Sequence, residues 1–260
     1  MADYKYLQVE RDGPVTIVTI SRPEVYNALH PPAHWEFDEV FNNFRDDPDQ
    51  WIAIITGAGD KAFSAGNDLK YQAEGKGPRD RPATGFAGLT FRYDLDKPVI
   101  AAVNGFAMGG GFETALSCDI IIASEQATFA LPEVKVGFFA AASGVQRLSR
   151  YIGRLAAQEI MFSGRKVDAN EALSLGMVNR VVPHADLMNV AMAKATEIAS
   201  VSPSSVKATK RVLNAMNVAE GLEASNEYSR EVIADLMKTK DFKEGVSAFV
   251  EKRKPNWVNK

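Results

Sequence analysis

The chain carries an unbroken apolar run, Pro98-Val99-Ile100-Ala101-Ala102-Val103, followed by Asn104-Gly105 and then by Met108-Gly109-Gly110-Gly111-Phe112-Glu113. The run has the length and composition of a buried strand, Asn-Gly turns the chain, and Phe112 to Leu116 are helix formers without a breaker. The glycines therefore fall at a helix N-terminus, where unpaired N–H groups and the helix dipole favour negative charge. Having no side chains, they let a ligand oxygen reach the backbone. A strand feeding a glycine-lined helix start in this way implies an α/β fold.

Two familiar glycine motifs do not fit. A phosphate-binding P-loop needs Gly-Lys-Ser/Thr after its glycines, and Phe112-Glu113-Thr114 follows here; a dinucleotide fingerprint needs a spacing that Gly105 and Gly109 to Gly111 lack. What remains is a row of amides beside one carboxylate, Glu113, with a second, Glu133, farther on in Leu131-Pro132-Glu133. Together these could polarise a carbonyl and move protons on the neighbouring carbons. The residues alone equally allow a close helix–strand contact with Glu113 solvated and Glu133 as a helix-start acid.

Composition narrows the setting. With 260 residues, 46% of them hydrophobic, the chain fits one large α/β domain or a domain with an appendage, with ample core. A formal charge of −3 and a pI near 5.7 give no general attraction to nucleic acid or an anionic membrane. Cys118 is the only cysteine, which excludes internal disulfides and cysteine metal clusters, and His30, His34 and His184 lack metal-ligand spacing, so no metal is expected. The N-terminal residues resemble neither a signal core nor a transit peptide, and no apolar run approaches spanning length; the expectation is a cytoplasmic protein.

Tyr6 to Ile20 alternates around Asp12-Gly13 as a hairpin, Pro31 to Asp46 has helical spacing, and Trp51 to Thr56 reads as a buried strand. Strand, strand, helix recurs through Asp119 to Ala130 and beyond, suggesting a repeated ββα unit. Glu74 to Gly88, rich in glycine, proline and charge, reads as a mobile surface loop and a lid. After Asp168 the chain is mainly helical, with a strand at Val178 to Val182 and helices over Ala185 to Ala199, Ser204 to Met216, Ala219 to Met237 and Asp241 to Lys252. Asp68 and Asp119 are expected to cap or turn the chain.

Several ordered segments together resemble the enoyl-CoA hydratase (crotonase) family: Phe63-Ser64-Ala65-Gly66-Asn67-Asp68-Leu69-Lys70, Lys97 to Gly105, Gly109 to Glu113, Pro132-Glu133 and Glu171-Ala172-Leu173-Ser174-Leu175-Gly176-Met177-Val178. Asn43 to Pro48 and Gly85 to Thr90 resemble its carnitinyl-CoA dehydratase branch. The resemblance implies a crotonase-like spiral of ββα units over residues 1–200 and a C-terminal helical oligomerisation region over 201–260, giving a homotrimer or a dimer of trimers. It implies an acyl-CoA thioester substrate, no separate cofactor, and reversible addition of water to a 2-enoyl-CoA, with Δ3,Δ2-enoyl-CoA isomerisation as the nearest alternative and non-catalytic acyl-CoA binding as a remote one.

By the same resemblance, Glu113 and Glu133 are the catalytic acids and the amides of Asn67 and Gly110 form an oxyanion hole. Lys61, Ala65, Lys70, Phe249 and Lys252 meet coenzyme A. Two departures stand out. Arg22-Pro23-Glu24 has an acid where many relatives have lysine, and Gly137-Phe138-Phe139-Ala140-Ala141-Ala142-Ser143-Gly144 replaces a segment with a proline and a Gly-Gly pair. With no carboxylate between Val134 and Gln146, members that use an extra Asp there are disfavoured. Phe86, Phe138 and Phe139 are candidates to face a trimethylammonium group, should the substrate carry one.

Overall fold

The computed structural model describes residues 3–75, 80–215, 231–232 and 234–260. The alternating segment forms a hairpin of β1 (Leu7–Asp12) and β2 (Val15–Ile20), turned at Gly13. Helix α1 (Pro31–Asp46) follows, its N-terminus capped by His30, whose ring accepts from the Ala33 amide.

Three strand pairs then succeed one another: β3 (Ile52–Gly57) with β4 (Ala62–Ser64), β5 (Val99–Val103) with β6 (Phe106–Met108), and β7 (Ile120–Ser124) with β8 (Thr128–Ala130). The first strand of each pair enters a six-stranded sheet and the second a four-stranded one, and successive turns stack in parallel. Helix α2 (Leu69–Glu74) follows the first pair and α3 (Gly110–Leu116) the second; α4 (Gly144–Ile152) and α5 (Arg154–Ser163) follow the third, after a short 3-10 turn at Pro132–Val136. This is the expected spiral of ββα units, mixed α/β with parallel sheets.

The parallel strands β3 and β5 are buried throughout, so both faces must be apolar. Their two-residue period divides the core. Ile52, Ile54, Ile100, Ala102 and Ile122 meet Leu187, Ala191 and Ala195 of α7 (Leu187–Ala199). Ala53, Ile55, Val99, Ala101 and Val103 face the cluster that contains Phe37, Phe41, Phe112 and Phe129. Successive turns are also tied through Asn104: its side-chain amide donates to Gly57 O (2.9 Å) and Gly59 O (2.7 Å) and accepts from Gly57 N. A Cβ on Gly105 would stand 2.2 Å from Lys61 O, so the turn needs glycine for this close approach.

Short elements close the fold. A two-residue strand β9 (Val167–Asp168) pairs antiparallel with β8, α6 (Ala169–Ser174) follows, and β10 (Arg180–Val182) adds to β7. Helices α7, α8 (Pro203–Ala215) and α9 (Lys240–Glu251) agree with the expected helices within a few residues; the one expected over Ala219 to Met237 lies largely outside the described residues. The described tail lies on its own chain. Lys210 Nζ meets Asp119 Oδ2 at 2.7 Å, Asp241 Oδ2 accepts from Ser204 Oγ at 2.9 Å, and Trp257 Nε1 donates to Ser200 O at 2.9 Å.

The expected surface lid is corrected over its second half. Phe86, Ala87, Gly88, Leu89 and Thr90 are buried. Arg92, its side chain sealed from solvent, fastens this segment to α1 by donating to Gly88 O (2.6 Å), Asn42 Oδ1 (2.8 Å) and Asp38 Oδ1 (2.7 Å). Among the described residues no helix is long and apolar enough to cross a membrane.

Candidate active site

Helix α3 begins where the glycines predict. Gly109, at φ 51 and ψ −125, precedes the first turn in a conformation that a side chain would strain, and its N–H holds Ala130 O at the end of β8. A Cβ on Gly109 would stand 2.8 Å from Glu133 Oε1, so its absence gives the second acid its place. Gly111 lies against Ser64 O, and a Cβ on Gly110 would enter the Phe86 ring at 2.5 Å. The glycine run thus serves three different close contacts.

The other amide arrives from the first turn of the spiral. Leu29 bridges in parallel to Asn67 by donating to Gly66 O (2.7 Å) and accepting from Asp68 N (2.8 Å); neither bond uses the Asn67 N–H. Gly66, at φ 86, brings this segment against α3: a Cβ there would stand 2.5 Å from Met108 O and 3.0 Å from Gly110 N. Asn67 thus follows a residue packed against Gly110 N, whose N–H is among those a first helical turn leaves without an intrahelical acceptor.

The carboxylates border the same helix start: Glu133 lies against Gly109, and Glu113 belongs to the first turn of α3. Glu113, in the first turn of α3, is 3% exposed, and its Oε1 accepts from Gly144 N at 2.9 Å. Burial pushes its pKa up, the charge of Glu133 adds to the shift, and the amides of Gly144 and Ala142 oppose it; the result is about 7. Burial also raises Glu133, whose Oε2 is buried without a hydrogen-bond partner among the described residues. Both shifts run upward, as burial of a carboxyl dictates, and the neighbouring charge of Glu133 adds to that of Glu113. The Gly144 amide favours the charged form of Glu113, whereas among the described residues no donor favours the charged form at Glu133 Oε2.

Other expected residues sort clearly. Asp68 caps α2 through Tyr71 N (3.0 Å) and pairs with Arg22 (3.0 Å), whose guanidinium also holds Ala28 O; this turns Arg22 inward. Asp119 accepts from Val99 N, and His184 meets Ser124 Oγ, both as structural groups. Lys61, Ala65 and Lys70 are exposed on the segment that carries Asn67. Lys252 is exposed just beyond α9, and the Phe249 side chain lies outside the described residues. Phe138 and Phe139 are exposed and stack on each other at 5.4 Å, away from the buried position of Phe86.

Three residues at the site escaped the sequence reading. His34 is fully buried, its ring 4.3 Å from Phe86, and its Nδ1 accepts from Ala87 N; burial lowers its pKa to about 3, so it stays neutral. Gly144 holds Glu113, and only its place at the end of the altered segment hints at that. Arg81 donates to Asn67 Oδ1 at 3.0 Å from the loop read as a lid, in which no single residue stood out. Among the described residues no cluster of His, Cys, Asp and Glu could hold a metal.

This arrangement has close relatives. A model of the enoyl-CoA hydratase/isomerase family matches residues 10–260. Over 255 residues the chain is 45% identical to a carnitinyl-CoA dehydratase of Citrobacter koseri, covering 96% of this chain and 97% of that protein. Its fold matches an enoyl-CoA hydratase of Mycobacterium tuberculosis with TM-score 0.92 at 32% identity, covering 99% and 100% of the two chains. A carnitinyl-CoA hydratase of Mycobacterium avium matches with TM-score 0.78 at 40% identity over the same shares. Matched along nearly its whole length by sequence and by fold, the chain belongs to the enoyl-CoA hydratase/isomerase family.

Proposed function

We propose that this protein is a lyase that reversibly adds water to a 2-enoyl-CoA, and in reverse dehydrates a 3-hydroxyacyl-CoA. The observation that carries the reading is the pair Glu113 and Glu133, both with raised pKa, set against the glycine-lined start of α3 beside Asn67. Hydratase and dehydratase, the activities named for the relatives, share this step, which moves water across the C2–C3 bond.

In the hydration direction Glu113 takes a proton from water as the water oxygen bonds to C3. Electron density passes to the thioester oxygen, and the amides of Asn67 and Gly110 hold the enolate; one such donor is worth about 2.7–4 kcal/mol in a comparable oxyanion site. Glu133 then gives its proton to C2. The pair is left with its single proton on the other member, and transfer between them resets the site. These steps need neither a metal nor a redox cofactor. In this scheme exposed Lys61 and Lys70 would meet the coenzyme A phosphates and the Ala65 carbonyl the adenine, and Lys252 and Phe249 would complete that site from a neighbouring subunit. On this reading residues 201–260 serve assembly into a trimer or a dimer of trimers, while 1–200 carry the site.

Product analysis tests the reaction. Incubation with a 2-enoyl-CoA should yield the 3-hydroxyacyl-CoA. Conversion of a 3-enoyl-CoA to its 2-enoyl isomer without any hydration would replace this reading with an isomerase that uses Glu133 alone.

A further inference from the structure

The loop after α2 brings a cation to the site. Arg81 Nη2 donates to Asn67 Oδ1 at 3.0 Å, and its guanidinium carbon lies 5.5 Å from the centre of the Phe86 ring, the ring that covers Gly110. Arg81 therefore touches residues on both sides of the gap between the Asn67 and Gly110 amides. The charge of Glu113 acts on it through space, yet among the described residues it forms no ion pair. A guanidinium has five N–H donors in a fork that suits a carboxylate. Arg92 has its donors engaged by Gly88, Asn42 and Asp38, as a structural arginine should. Arg81, exposed on its loop, spends one on Asn67, and among the described residues no other hydrogen-bond partner takes the rest.

Glu113 is gripped at Gly144, and the segment leading there, Phe138 to Ser143, contains no acid. A quaternary ammonium on the acyl chain would meet Arg81 over the same aromatic ring, cation against cation. An acyl carboxylate would instead meet an unpaired guanidinium.

We propose that Arg81 determines the substrate: the site takes a CoA thioester whose short acyl chain ends in a carboxylate, and it discriminates against a trimethylammonium acyl group. This rests on the acyl-CoA reading above and refines it. Butyryl-CoA, glutaryl-CoA and 4-trimethylammoniobutyryl-CoA are saturated, so their affinities can be read by calorimetry without turnover.

The wild-type protein should bind glutaryl-CoA at least about tenfold more tightly than the trimethylammonium thioester, the size of one charge-assisted hydrogen bond. Arg81→Gln should bring that ratio close to one, Arg81→Lys should keep part of it, and Arg81→Glu should invert it. The proposal is overturned if the wild type binds the trimethylammonium thioester as tightly as glutaryl-CoA, or if the variants weaken all three equally. Should a variant fail to fold, the wild-type order decides alone. Hydration of the matching 2-enoyl thioesters separates the two readings: no turnover with the binding order intact removes the hydratase reading and leaves this one, while turnover without that order removes only this one.

Discussion

At the scale of single residues, the site depends on a raised carboxyl. Glu113 has a pKa of about 7 in the fold against about 4.5 unfolded, so its carboxyl favours folding most where it is neutral, and that advantage is lost as pH rises through 7. Glu113→Gln should therefore match the parent in melting temperature near pH 4 and exceed it by pH 8, by on the order of 3 kcal/mol in stability. Thermal melts across that range check it; an equal difference at all pH values would show that Glu113 is not strained by burial. Gly66→Ala puts a methyl 2.5 Å from Met108 O at a positive φ and would separate the two amides. Its kcat should fall about 10²-fold or more, as expected for loss of an oxyanion donor, with KM less affected. The sequence singled out both acids and the glycine run, and the fold gives Glu113 a buried place in the first turn of α3 and Glu133 a place against Gly109. Arg81 and His34 were not: an arginine in a polar loop and a histidine in an amphipathic helix look the same whether they face solvent or a site.

At the scale of elements, composition predicted the strands well and the loop after α2 poorly. β3 and β5 read directly as apolar runs because both faces of a parallel strand are covered. Residues 85–88, the end of the expected surface loop, read as surface because glycine and proline dominate the preceding stretch, yet they are buried, and Phe86 packs over Gly110 at the start of α3. Two-residue β9 carries too short a pattern to show any period. Arg92 fastens the buried loop, and removing it leaves the Gly88 carbonyl without its donor and Asp38 without its cation. Arg92→Leu should cost about 3–5 kcal/mol in urea denaturation, the range for breaking a buried ion pair. It should also lower kcat, since Phe86 backs Gly110; undiminished activity would mean that this loop does not support the site.

At the scale of the whole molecule, several large apolar side chains remain on the surface of neighbouring elements. Leu155 (84% exposed) and Phe162 (73%) lie on α5, and Val136 (66%) ends the turn that α5 contacts. Such a concentration fits a surface covered in the proposed assembly. Sedimentation should give a threefold or sixfold multiple of the 28.4 kDa chain, and Leu155→Asp with Phe162→Asp should shift it towards one chain. A monomeric wild-type protein would remove the assembly proposal without touching the chemistry.

The chemistry itself is tested most directly by hydrating crotonyl-CoA in deuterated water with the wild type, Glu113→Gln and Glu133→Gln. The wild type should consume the enoyl thioester and leave one solvent deuterium at C2 of the 3-hydroxyacyl product, and each single variant should lose about 10²–10⁴-fold in kcat. A wild-type protein that binds crotonyl-CoA without hydrating it, or variants that hydrate it at the wild-type rate, would contradict the two-glutamate account.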